Sequence, residues 1–321
     1  MNQNDAADQG SSVGGATITG KDRSGAEAGN NVEIRLQPEG VSPSKELAVG
    51  REHNTSLPIH TLPVEVFVQV IHLHMLHILD HESDNENYYL QLIRLSGVCS
   101  HWYNVIRGSP QLWTRVSRSD PHTVVEMALQ RSSSHPIDIH LSPTQDIEQD
   151  TPDFQPFMNA VTPHKDRWRR MDILVPCSWV PETIAALGGP PPKLERLSLI
   201  DTETRSCARE FDLFGGRPPL LNSLTLNGVS IRWDSEVLHN LTIFDIGWIH
   251  FPSTDAVLRA LSHSPQLQKL RIYRCSTGSM ATLSSPFVRL PRLVMLEVEH
   301  RDEDATQNFL DHIISDVQNA R

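Results

Sequence analysis

A chain of 321 residues with a formal net charge of −11 and a hydrophobic fraction of 38% has room for two ordinary domains and a segment that does not fold. The acid excess argues against a general nucleic-acid binder and against a protein held on an anionic membrane, because both rely on surplus Lys and Arg. No apolar run approaches the ~18 residues of a membrane span, and the opening residues show no basic segment followed by an apolar one, so no secretory signal is expected.

Without a signal, the sequons at Asn54 and Asn240 carry no weight. The four widely spaced cysteines, Cys99, Cys177, Cys207 and Cys275, are then expected as reduced, buried thiols of a cytoplasmic or nuclear protein. Residues 1–56 contain no aromatic residue and are rich in Gly, Ser, Asn, Asp and Ala. Such a segment cannot bury enough apolar surface to offset its ordering entropy, and disorder is expected. Within it, residues 15–22 spell most of a phosphate-binding loop. Asp22 stands where Ser or Thr would hold magnesium, and neither a strand before nor a helix after is readable, so no nucleotide site is expected.

Order is expected from near Leu62. Pro63 suits the first position of a helix, Glu65 suits its first turn, and Val66, Phe67, Val70 and Ile71 recur on one face. Residues 80–87 read as a polar loop. A second helix is expected over about residues 89–107, with Leu92, Leu95, Val98, Cys99, Trp102, Val105 and Ile106 on one stripe and Gly108 as its stop. Ser109 and Pro110 then turn the chain so that Leu112 and Trp113 pack back onto the helices. A unit of ~50 residues buries little by itself and needs a neighbour or a partner.

The remainder repeats. An apolar residue, two others, an apolar residue, one other and a third apolar residue begin at Trp168, Leu194, Leu221, Leu241, Leu267 and Leu293, at intervals of 26, 27, 20, 26 and 26. That spacing falls in the leucine-rich-repeat range. Only the segment from Leu267 to Cys275 carries the fuller form, whose last residue bonds backbone in the turn. Helices are expected at about residues 120–132, 178–189 and 253–265. Ile137, Ile139 and Leu141 alternate as in a strand, and residues 302–318 read as a terminal capping helix.

Little of this supports chemistry. His72, His74, His77 and His81 include metal-capable spacing but lack a known ligand signature, and are expected on a polar outer face. Cys99 is expected as an inert core thiol, and no G-x-S-x-G elbow occurs. The basic stretch 164–170 is expected to flank a solvent-facing strand edge. No catalytic, cofactor or metal site is expected.

Leu62, Pro63, Glu65, Val66 and Phe67, the pair Val70 and Ile71, then Val98, Cys99 and Trp102, and finally Pro110, Leu112 and Trp113, together resemble the F-box over about residues 60–114. The longer segment between the helices is similar to that of F-box proteins from mushroom-forming fungi. Joined to leucine-rich repeats, the chain resembles the substrate receptors of Skp–cullin–F-box ubiquitin ligases. The resemblance implies an α+β chain: a tail over 1–56, a small helical F-box over 57–117, and an irregular α/β leucine-rich-repeat solenoid over 118–321. It implies that Leu62, Pro63, Val66, Phe67, Val70, Val98 and Trp102 dock the Skp adaptor. A protein substrate would be held on the concave side by Asp172, Ser198, Thr225, Asn227, Asp245, Arg271, Tyr273, Glu297 and Glu299. No catalysis, cofactor, nucleic acid or membrane is implied. The alternative is a non-catalytic scaffold outside any ligase.

Overall fold

The computed structural model describes residues 43–81, 88–142, 155–187, 189–203, 209–216 and 220–315; the phosphate-loop-like stretch 15–22 lies outside them. The chain divides into two compact units, Met1–Ser56 and Leu57–Arg321. In the first, α1 (Pro43–Thr55) departs from the disorder expected up to residue 56. Its cause is local: Pro43 is pre-set for a helix start, and Lys, Glu, Leu and Ala follow it.

The second unit opens with a 3-10 turn, Pro58–Thr61, and three helices: α2 (Val64–His81), α3 (Tyr88–Ser96) and α4 (Ser100–Arg107). The single helix expected over 89–107 is therefore two. Gly97 closes α3 by donating to the carbonyls of Ile93 and Arg94. Cys99 is fully extended as the N-cap of α4, at φ −163° and ψ 170°. The break lifts Val98 off the apolar stripe and leaves it 59% exposed. The helices close on Phe67, Ile71, Met75, Leu92, Val105 and Ile106. A second 3-10 turn, Pro110–Trp113, puts Leu112 and Trp113 into the same core.

A parallel sheet follows. Its elements in chain order are β1 (Arg115–Ser117), α5 (His122–Arg131), β2 (Ile137–Leu141), α6 (Gln155–Val161), β3 (Trp168–Val175), α7 (Val180–Ala186), β4 (Arg196–Asp201), β5 (Glu210–Phe211), β6 (Ser223–Asn227), β7 (Ser230–Ile231), β8 (Ile243–Gly247), β9 (His250–Phe251), α8 (Thr254–Ser262), β10 (Lys269–Thr277), β11 (Val288–Arg289), β12 (Met295–His300), α9 (Glu303–Leu310) and β13 (Ile313–Ile314). The main strand order is β1-β2-β3-β4-β6-β8-β10-β12, so each strand lies beside the main strand before it. Parallel neighbours need long connections, which the helices and the short ladders β5–β7, β9–β10 and β11–β13 supply. The six repeated motifs fall on β3, β4, β6, β8, β10 and β12. Their apolar positions are inside by strict alternation: Leu197 and Leu199, Leu224 and Leu226, Phe244 and Ile246, Leu270 and Ile272, Leu296 and Val298 are all buried.

Three differences from the sequence reading stand out. The tail of the helical module is itself the first strand, β1. The terminal helix stops at Leu310, and the β-branched pair Ile313 and Ile314 pairs with β11 instead. Cys177 is disulfide-bonded, against the expectation of four reduced thiols; Cys99 and Cys275 are free, and Cys207 lies outside the described residues. Cys275 bonds backbone, to the Tyr273 carbonyl at 3.4 Å, but from within β10 and not from a turn, and burial pushes its thiol up to about 11.

The strands bend at one register. Gly228, Trp248 and Arg274 follow the partnered residues Asn227, Gly247 and Tyr273, and all three have positive φ (69°, 57° and 50°). One residue earlier, Gly247 has a different reason to be glycine. A Cβ there would lie 2.1 Å from the Tyr273 ring, so the ring lies across Gly247, and Asn227 Nδ2 donates to its hydroxyl at 2.8 Å. Gly247→Ala is expected to displace the ring and lose that bond, at a cost of about 1 kcal/mol. In a Tyr273→Ala background the same change should be close to neutral, which a double-mutant cycle of urea midpoints would show.

Candidate docking surfaces

On the helical module the seven expected docking residues divide by depth. Phe67 is fully buried, with Trp102 edge-on to it at 4.8 Å between ring centroids. Phe67 therefore shapes the module from inside and offers no surface. Leu62 and Trp102 are half-buried against the core, and the Trp102 Nε1 is buried without a partner. Pro63 is exposed, as are Val66 at 43% and Val70 at 47%, with Val98 already noted. The structure adds Val64, Leu73 and Leu76 on α2 and Leu90 and Ile93 on α3, all exposed. The signal for them was present: α2 is apolar on more than one face, and its inward face is taken by Phe67, Val68, Ile71 and Met75. An apolar outer face on a helix whose inner face is already filled marks a contact surface.

Cys99 is half-buried, not a core thiol. Its Sγ lies 3.6 Å from His60 Nε2, and the His60 ring lies tilted against that of His101, 4.9 Å between centroids. The join to the sheet is polar as well as apolar. Tyr88 donates to the Leu112 carbonyl at 3.2 Å and Tyr89 donates to the Arg115 carbonyl. Burial pushes Tyr88 up to about 12.

Comparison with known families settles what this module is. Residues 59–119 match the family model of F-box-like domains. The F-box-like domain thus ends just beyond β1, which explains why its tail runs into the sheet. No curated protein and no solved structure matches the chain.

The nine residues expected to face a substrate do share one side of the sheet. Asp172, Ser198, Thr225, Asp245, Arg271 and Glu297 are register partners across β3, β4, β6, β8, β10 and β12. Asn227, Tyr273 and Glu299 form a second row, with Gly247 between the first two. They are not equally available. Arg271 bonds Glu297 at 2.8 Å and lies 3.9 Å from Asp245. Burial raises Asp245 above its ordinary value despite Arg271. Asp172 is 7% exposed and is held by neighbours on its own face of the sheet.

The partners of Asp172 form a chain. Arg115 Nη1 lies 2.9 Å from His140 Nε2, and His140 Nδ1 lies 2.9 Å from Asp172, which Arg170 also bonds. A guanidinium only donates, so Nε2 must accept and Nδ1 must carry the proton: the imidazole is neutral. Burial pushes His140 down, and the nearby Arg115 adds to this. Burial alone would raise Asp172, but His140 and Arg170 together hold it below its ordinary value.

The basic stretch 164–170 is likewise engaged in structure. Lys165 donates to the Leu187 carbonyl at 2.5 Å, Arg167 to the Ser133 carbonyl, and Arg169 takes Asp138 with both nitrogens. His72, His74 and His77 are exposed, and the His81 side chain lies outside the described residues. Among the described residues no group of three or more His, Cys, Asp or Glu could hold a metal ion, and no helix is long and apolar enough to cross a membrane.

The pH dependence follows from the His140 chain. A depressed His contributes stability present above its unfolded value near 6.5 and lost as pH falls from there; a depressed Asp contributes stability lost lower, below about 3.9. Urea unfolding at pH 7.5 and 5.5 should therefore show a less stable protein at 5.5. His140→Gln should lose less over the same interval, because its amide does not titrate.

Proposed function

We propose that the chain is the substrate-recognition subunit of a Skp–cullin–F-box ubiquitin ligase. On this reading the parallel sheet and its helices are a degenerate leucine-rich-repeat solenoid. The F-box-like domain docks the Skp adaptor, and the repeat domain holds a protein substrate. The chain performs no reaction and binds no cofactor. Its contribution, in the cytoplasm or nucleus, is proximity: a tethered substrate meets the ubiquitin-charged enzyme at raised effective concentration. The observation that carries this reading is the exposed set Val66, Val70 and Val98 on an F-box-like domain whose inner face is already packed. Support for the repeat assignment comes from the strand order, which follows the sequence, and from the repeated motif on six strands.

Co-expression with a fungal Skp adaptor tests it. The parent should co-purify with the adaptor, and Val66→Asp/Val70→Asp should fail to while keeping its unfolding midpoint, since both side chains are already in water. Phe67→Asp should instead fail to fold, because it leaves a charge in the core. A folded parent that captures no adaptor contradicts the proposal. Capture without substrate ubiquitination in the reconstituted ligase favours the scaffold.

A further inference from the structure

The main sheet ends at β12, which pairs with β10 and, among the described residues, with no strand on its other side. The direction of its amides follows from the bonds made. Met295 donates to the Gln268 carbonyl and Arg301 to the Cys275 carbonyl, both toward β10. His300 turns the other way and bonds Thr306 Oγ1 of α9 at 3.1 Å. Alternation along a strand then points the N–H and C=O of Leu296 and Val298 at the open side. A groove of ≈ 770 Å³ lies along this strand, lined continuously from Val294 to Glu299 with Arg271 and Tyr273 of β10. Val294 is 74% exposed at its entrance.

We propose that β12 is a docking edge for an extended peptide segment of a partner protein, added as the next strand and bearing basic side chains on the face that carries Glu297 and Glu299. The pattern of β12 selects that chemistry. Met295, Glu297 and Glu299 lie on the more exposed face of the sheet, while Leu296 and Val298 face the core. Arg271 balances Glu297, but Glu299 has no ion-pair partner among the described residues. Asp302, Glu303 and Asp304 follow it, all exposed, and outnumber the exposed Arg301 between them and Glu299. An incoming strand with Lys or Arg at alternate positions meets this charge, and apolar residues between them extend the buried row. A second copy of the chain fits worse. Two-fold pairing centred on Glu297 or Val298 sets Glu297 against Glu297 or Glu299, and like charges directly opposite are destabilising. The inference rests on the repeat domain being the part that holds the substrate, and it names the class of segment held: main-chain bonds supply affinity and alternate side chains supply selectivity.

The probe is a fluorescein-labelled peptide of alternating lysine and valine, roughly eight residues long, with a glutamate–valine counterpart, titrated against the full chain. Hydrogen exchange is read at single amides. Expected is binding of the lysine peptide, slowed exchange at Leu296 and Val298, and no change at Met295, whose amide is already bonded to β10. Glu299→Lys, on an exposed site, should weaken the lysine peptide roughly two- to fivefold and strengthen the glutamate one. Binding without protection at Leu296 and Val298, no binding, or indifference to Glu299→Lys overturns the proposal. Concentration-dependent self-association that protects the same two amides overturns it in favour of a second copy. The adaptor-blind Val66→Asp/Val70→Asp variant should bind the peptide like the parent, so failure of adaptor docking and failure of this edge read out separately.

Discussion

Trp113 joins the two halves of the larger unit. Its ring stacks on Tyr89 at 5.5 Å and 10°, the Arg131 guanidinium of α5 lies 4.4 Å from its centroid, and its Nε1 donates to the Ile106 carbonyl at 2.8 Å. One side chain therefore touches α3, α4 and the first helix of the sheet region. Truncating a buried Trp costs about 3–5 kcal/mol, a large share of the 5–15 kcal/mol that holds a typical domain. An F-box-like domain of this size is too small to close a robust core alone. Sharing the core through Trp113, Leu112 and Val116 means that α2 and α3 need not bury their outer faces, and those faces stay apolar and exposed. The surface proposed for the adaptor is a consequence of where the core was placed.

From β1 onward each strand is a template for the next. The apolar rows stay in register across eight strands, while the opposite face carries polar side chains. At the β1–β3 end, Arg115, His140, Asp172 and Arg170 satisfy one another. In the middle, Asn227, Gly247 and Tyr273 form a rigid cradle. At the far end, among the described residues, Glu299 has no ion-pair partner and β12 meets no strand on its outer side. The irregularity also has a local cause. The 20-residue interval between Leu221 and Leu241 leaves room only for β7 and a 3-10 turn, Glu236–Leu238. Ser264 bridges the gap by donating to the Leu238 carbonyl and accepting from Leu241 N–H.

Much of this was legible because it repeats or alternates. Six motifs at near-constant spacing place six strands, and Ser253 caps α8 through the Ala256 N–H as its position before an apolar run suggests. What was not legible depends on single residues in tertiary context. Gly97 splits a helix whose apolar stripe reads as continuous, because spacing along the sequence does not show that the axis turns there and carries Val98 outward. Arg115 to Ser117 are too few to signal a strand until β2 pairs with them. Asp172 reads as one of nine equivalent face residues, and only the placement of His140 and Arg170 takes it out of play. Phe67 and Val66 are adjacent and both apolar, and periodicity on a helix that is apolar on more than one face cannot say which one is inside.

The dependence of the F-box-like domain on the sheet can be measured by hydrogen exchange in rising urea, comparing peptides from α3 and α4 with peptides from β4 and β6. A shared core requires that both regions open with the same free energy in the parent and fall together in Trp113→Ala. Loss of protection in α3 and α4 at much lower urea than in the strands, or a Trp113→Ala effect confined to one of them, would contradict it.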